Sequence, residues 1–164
     1  MITKKVVLIG DYSTGKTSLI RRFVDNQFSD VYLSTIGVKI SRKKLSIQDD
    51  EVQNIIWDIE GATEKKPLNT TYLMGAHGAI IVADVSREVT LENIQNFIDL
   101  LKEKSLNIPF VIALNKCDLL GDNSAIFSKI SEQYSQAGSI HLTSAKNAQG
   151  VEEIFETLTV LMME

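Results

Sequence analysis

The sequence predicts an open, doubly wound α/β domain built on a mostly parallel six-stranded sheet, with one antiparallel edge strand and helices on both faces. Two observations lead there. Short, almost continuously apolar runs alternate with segments whose apolar residues recur at helical spacing, the pattern of strands buried on both faces and of the helices that cover them. The alternation also runs through all 164 residues without a linker, repeat or low-complexity tract, so residues 1–164 read as one domain.

The first run, VVLIG at 6–10, is a buried strand, and a helix is expected from Thr17 to Asn26. The stretches VKISRKKLSI (38–47) and EVQNIIW (51–57) flank Asp49 and Asp50, which read as the turn of a hairpin, so the first of the two strands runs antiparallel at an edge. Arg42, Lys43 and Lys44 lie on that edge strand, where charge blocks unwanted strand pairing; a partner-binding role is the less favoured alternative. NIIWDI (54–59), AIIVADV (79–85) and PFVIALN (109–115) are further buried strands. Leu91, Ile94, Phe97, Ile98 and Leu101 share one helix face with Thr90 placed as the N-cap, and Val151, Ile154, Phe155, Leu158 and Leu161 share another.

Composition narrows the function. The net charge of -4 lacks the basic footprint of a nucleic-acid binder, so no nucleic-acid partner is expected. A lone cysteine, Cys117, allows no internal disulfide, and no stretch reaches the roughly 18 apolar residues of a membrane span, which favours the cytoplasm. Neither Cys117 nor His77 nor His141 is assigned a role, and Asp84 at a strand end has no evident partner.

The chemistry enters at GDYSTGKT, residues 10–17. Gly10, Gly15, Lys16 and Thr17 satisfy the spacing of a phosphate-binding loop, in which glycines let backbone N–H groups converge on phosphate oxygens. Lys16 would neutralise the outer phosphates, Thr17 would offer its hydroxyl to Mg²⁺, and the helix that follows adds its positive end. Asp11, Tyr12, Ser13, Thr14 and Ser18 complete the candidate phosphate-binding set. A loop of this kind does not choose the base. That choice falls to NKCD, Asn115 to Asp118, after a strand: a carboxylate there accepts from both the N1 and N2 donors of guanine, and adenine has no such pair.

With these segments in place the chain resembles the small GTPases of the Ras superfamily, most like the Rab branch. Five motifs stand in the family's order: GDYSTGKT (10–17), STIGV (34–38), WDIEG (57–61), NKCD (115–118) and TSAK (143–146). The resemblance implies a P-loop GTPase domain that binds GTP and GDP with Mg²⁺ and hydrolyses GTP. It implies that Thr35 ligates Mg²⁺ and senses the γ-phosphate, that Asp58 holds Mg²⁺ through a water, and that Gly61 donates its N–H to the γ-phosphate. Phe28 would pack against the guanine edge and Tyr32 would lie over the phosphates. Asn115 and Lys116 would brace the base, Asp118 would read it, and Ser144, Ala145 and Lys146 would present the N–H of Ala145 to the guanine carbonyl. The partners implied are effector proteins, exchange factors and activating factors, which meet a monomeric switch at about 28–40 and 59–75.

The departures from the family pattern carry their own expectations. Ala62 stands where the family has the glutamine that orients the attacking water, so intrinsic hydrolysis should be weak. Glu60 puts a carboxylate near the γ-phosphate position, where it would act on the water in the glutamine's place, repel a triphosphate, or turn to solvent. Tyr12 would crowd an arginine supplied by an activating partner. The chain ends at LTVLMME without a cysteine for prenylation, so no lipid anchor is expected in it; the alternatives are a missing tail and recruitment by other proteins. Two other readings stay open: a pseudo-GTPase scaffold locked to one nucleotide, and an ATP-using P-loop enzyme, which leaves NKCD and TSAK without a job.

Overall fold

The computed structural model describes residues 1–24, 31–33, 38–63, 65–104 and 107–164, with 31–33 as backbone only. Strand β1 (Ile2–Gly10) leads into helix α1 (Lys16–Val24), followed by β2 (Val31–Leu33), β3 (Val38–Ile47) and β4 (Asp50–Ile59). Next come β5 (Gly78–Asp84), α2 (Glu88–Glu92), α3 (Ile94–Glu103), β6 (Phe110–Asn115), α4 (Ser124–Gln133), β7 (Ser139–Leu142) and α5 (Val151–Met163). The sheet order is β2-β3-β4-β1-β5-β6-β7. From β4 to β7 all neighbours are parallel, and β3 runs antiparallel to β4. The six expected strands are present, and the three-residue β2, antiparallel to Val38–Ile40, adds a seventh at the edge. Beyond Ile40 no strand among the described residues pairs with the outer side of β3, so exposed Arg42 and Lys44 lie on open edge, as edge protection requires.

Alternate residues of β1 divide between two cores, as a strand's two-residue period demands. Val6 and Leu8 join Leu19 and Phe23 of α1 and Ile154, Phe155 and Leu158 of α5 on one face. Val7 and Ile9 join Ile94, Phe97, Ile98 and Leu101 of α3 and Ile130 of α4 on the other. Phe23 and Phe155 stack with ring centroids 4.0 Å apart, locking α1 to α5. Because α1 leaves β1 toward one face and α3 follows β5 onto the other, the carboxyl ends of these adjacent strands open a crevice, the usual ligand position in such sheets.

Three local readings change. The hairpin turn is Gln48–Asp49, one residue earlier than expected, since Ile47 pairs with Asp50 and Gln48 takes the left-handed conformation (φ 55°). Thr90 is not an N-cap: it lies inside α2, buried, where its hydroxyl accepts the Asp84 N–H at 2.9 Å. The helix expected from Thr17 begins at Lys16, and Asn26, its expected end, lies outside the described residues.

Candidate nucleotide site

The loop between β1 and α1 curls because Ser13 (φ 61°) and Gly15 (φ 99°) adopt left-handed conformations. Gly15 also has no room for a side chain, because a Cβ there would lie 2.3 Å from Asn115 Nδ2. Lys16 is buried beneath the loop and donates to Asp11 O at 2.8 Å and to Gly10 O and Thr14 Oγ1 at 3.3 Å. Burial pulls its ammonium down to about 8, opposed by Asp58 and Asp11 and assisted by Arg87. A bound anion would relieve that burial cost, so this lysine fits a phosphate. Thr17 Oγ1 donates to Asp58 Oδ2 at 2.5 Å, and burial raises the Asp58 carboxyl even though Thr17, Lys16, Lys39 and Arg21 oppose the shift. A hydroxyl and a carboxylate at the end of the phosphate loop form an oxygen donor set of the kind Mg²⁺ accepts beside phosphate and water. Among the described residues no group of three or more acidic, His or Cys side chains would hold a metal without such help.

Two cavities adjoin along this loop. The larger, about 1120 Å³, is lined by Tyr12, Ser13, Lys16, Thr17, Asp58, Glu60 and Gly61 among others. The smaller, about 360 Å³, lies between Asn115, Lys116, Asp118, Ala145 and Lys146, and both share Gly15, Ser18 and Lys116. The smaller one is built by two loops tied to each other. Ser144 Oγ donates to Asp118 Oδ1 at 2.7 Å, Thr143 Oγ1 to Asn115 Oδ1 at 3.0 Å, and the Cys117 N–H to Thr143 O at 3.0 Å. Arg22 holds the carbonyls of Ala145 and Lys146, both at 2.9 Å. Both base-side residues also reach the phosphate loop: Asn115 Nδ2 donates to Thr14 O at 2.9 Å and Lys116 Nζ to Ser13 O at 2.8 Å. Cys117 is buried, and burial together with Asp118 pushes its thiol up, so it fills space rather than reacting.

The far wall starts at the end of β4. Ala62 forms a short parallel bridge with Asp11: its N–H donates to Gly10 O at 3.2 Å and its carbonyl accepts the Tyr12 N–H at 3.0 Å. Gly61 is pressed against this contact, since a Cβ there would lie 2.6 Å from Tyr12 Cα. Glu60 turns to Lys66 Nζ at 2.9 Å in an exposed pair, which is the solvent-facing alternative among those open for it. Of the expected site residues, Phe28 and Thr35 lie outside the described residues, and Tyr32 is placed only by its backbone, in β2 opposite Lys39.

Sequence reasoning missed Asp84. Its buried carboxylate pairs with Lys116 Nζ at 3.0 Å and accepts from Ser86, whose hydroxyl lies at 2.6 Å. Burial alone would raise it, but the bonds from Ser86 and Lys116 hold it below the ordinary range. The missed signal is register: Asp84 ends β5 directly opposite Asn115, the first residue of NKCD.

The model of the Ras family matches residues 5–164. Rab-13 of Mesocricetus auratus is 34% identical over 156 residues, covering 94% of this chain and 77% of that protein. Rab-1C of Dictyostelium discoideum is 34% identical over 92% of this chain and 76% of its own length, and the GTP-binding protein YPTM1 of Zea mays is 34% identical over 92% and 74%. On this family match and these identities, the chain belongs to the Ras family and is a Rab-like small GTPase.

Proposed function

We infer that this protein is a Mg²⁺-dependent guanine-nucleotide switch with slow intrinsic GTP hydrolysis, read by protein partners through residues near 28–40 and 59–75. The observation that carries the reading is the joining of the two cavities: Asn115 and Lys116 line the base side while each donates to a carbonyl of the phosphate loop. Asp118, held by Ser144, reads the guanine edge. Ser13, Gly15, Lys16 and Ser18 take the phosphates, and Ala145 and Lys146 close the base pocket. Thr17 and Thr35, with Asp58 through a water, would hold Mg²⁺, which would neutralise charge on the outer phosphates.

Slow hydrolysis follows from the far wall. Ala62 brings only its backbone N–H and carbonyl, and both are bonded to the phosphate loop, so it has no group left to orient a water. Glu60 is engaged by Lys66 and does not replace the missing glutamine in this conformation. Partner reading rests on the outer phosphate ordering the stretches near 28–40 and 59–75.

The test is single-turnover hydrolysis of bound GTP, run beside GDP and GTP affinities with ATP as competitor. The reading expects tight binding of both guanine nucleotides, no displacement by ATP, and slow turnover. Displacement of GDP by equimolar ATP would remove the base assignment, and binding of GDP alone would leave a scaffold in place of a switch.

A further inference from the structure

Three successive carbonyls of the phosphate loop are held from outside it. Asn115 Nδ2 donates to Thr14 O at 2.9 Å, Lys116 Nζ to Ser13 O at 2.8 Å, and Arg87 Nη1 to Tyr12 O at 2.9 Å. In a trans peptide the carbonyl and the following N–H point in opposite directions, and no described peptide bond is cis. Pulling these carbonyls outward therefore turns the N–H groups of Ser13, Thr14 and Gly15 the other way, and Ser13 and Gly15 line the large cavity. Asn115 and Lys116 belong to the base loops. Arg87 does not: it precedes α2 and does not line the base pocket.

We propose that Arg87 is a positioning residue for the outer phosphates of the bound nucleotide, acting by fixing the Tyr12–Ser13 peptide so that the Ser13 N–H faces them. The proposal rests on the guanine-nucleotide reading above. On that reading the phosphates would extend from Gly15 and Ser18, which border the base pocket, toward Tyr12, which is bonded to Ala62 at the far wall. The peptide held by Arg87 is thus the one farthest from the base.

Arg87 is itself well anchored. Its N–H donates to Asp84 O at 3.0 Å, and its carbonyl lies 2.8 Å from the Thr90 hydroxyl. Two neighbours act alongside it: Asn93 Nδ2 donates to Asp11 Oδ2 at 2.9 Å, and Asp84 pairs with the Lys116 ammonium that holds Ser13 O. The turn from Asp84 to Arg87 thus serves two of the three carbonyl clamps, one directly and one through Lys116. A charged donor on a carbonyl is stronger than a neutral one, and its second role here is to keep positive charge beside the phosphates.

Because the Arg87 guanidinium bonds Tyr12 O of the phosphate loop, while its link toward Lys116 runs through its backbone and Asp84, loss of the side chain should weaken phosphate binding and leave base selection intact. The experiment measures affinities for GDP, GTP and IDP in wild type, Arg87→Ala and Arg87→Lys, with thermal melting as the control for folding. Arg87→Ala is expected to lose about tenfold for both GDP and GTP while the preference for GDP over IDP is unchanged, with Arg87→Lys restoring part of the loss. Unchanged GDP and GTP affinities in the alanine variant overturn the proposal, as does a GDP-over-IDP preference that falls in step with affinity, which marks general damage to the site. If the alanine variant does not fold, Arg87→Lys and Arg87→Gln are judged by the same two criteria. Wild type that binds neither GDP nor IDP overturns the nucleotide reading itself, whereas wild type that binds both beside unaffected variants removes only the role of Arg87.

Discussion

On the base side of the cleft, Thr14, Asn115, Thr143 and Ser144 are each no more than 1% exposed and are joined by bonds between their loops. On the opposite side, Glu60 and Lys66 meet as an exposed pair, and Ala62 takes part through its backbone alone. The first region is an interlocked lattice in which removing one group strands another buried one, a costly change. The second is a single short bridge and a surface ion pair of little energetic worth. On the proposed reading, holding a nucleotide and hydrolysing it draw on these separate regions and would respond to mutation independently.

Four changes break or sharpen that contrast, taken from the largest effect down. Asp118→Ala removes the acceptor aimed by Ser144 and is expected to cost about a thousandfold in GDP affinity. Equilibrium titration checks it, and a loss below about tenfold would place base reading elsewhere. Ala62→Gln supplies a side chain for the attacking water and should raise single-turnover GTP hydrolysis about a hundredfold, some 2.7 kcal/mol off the barrier, with GDP affinity unchanged. An unchanged rate would mean the wall lacks more than that glutamine.

Gly61→Ala forces a Cβ to within 2.6 Å of Tyr12 Cα and should cost about 1–3 kcal/mol of stability, read as a lowered melting temperature. An unaltered melting temperature would show the bridge to be loose.

The smallest effect belongs to His77. Its Nδ1 accepts the Lys5 N–H at 2.8 Å, so the folded protein needs the ring neutral. Burial, then Lys4 and Lys5, lowers its pKa below the ordinary 6.5. The unfolded chain therefore takes up a proton first, and the contribution of His77, present above 6.5, is lost as pH falls toward its folded value. Between about pH 7.5 and 5.5 the melting temperature of wild type should drop more steeply than that of His77→Ala. Parallel curves would contradict this.

Legibility in the sequence followed the range of the interactions. The buried strands were readable because burial on both faces writes itself as a continuous apolar run, and the two proposed nucleotide loops were locatable because each is a short run of adjacent residues, which the fold brings together. Asp84 and Arg87 were not readable in this way, since their partners Lys116 and Tyr12 are brought to them only by the sheet and its crossovers. Thr90 was misread because a hydroxyl near a helix start usually caps it, whereas here the strand end just before the helix takes the bond. The hairpin turn slipped by one because two aspartates suggested it, and the ladder instead extends to Asp50.

That ladder has one more implication. Val38 and Ile59 face each other as the last rung of a run of ten pairs, and this rung joins the two proposed partner-facing stretches. A slip of a single residue would turn Val38 and Ile59, both buried, out of the core, so the hairpin does not slide. A rearrangement in either stretch would pivot on that same fixed axle, which keeps the two in time with each other through the paired backbone itself.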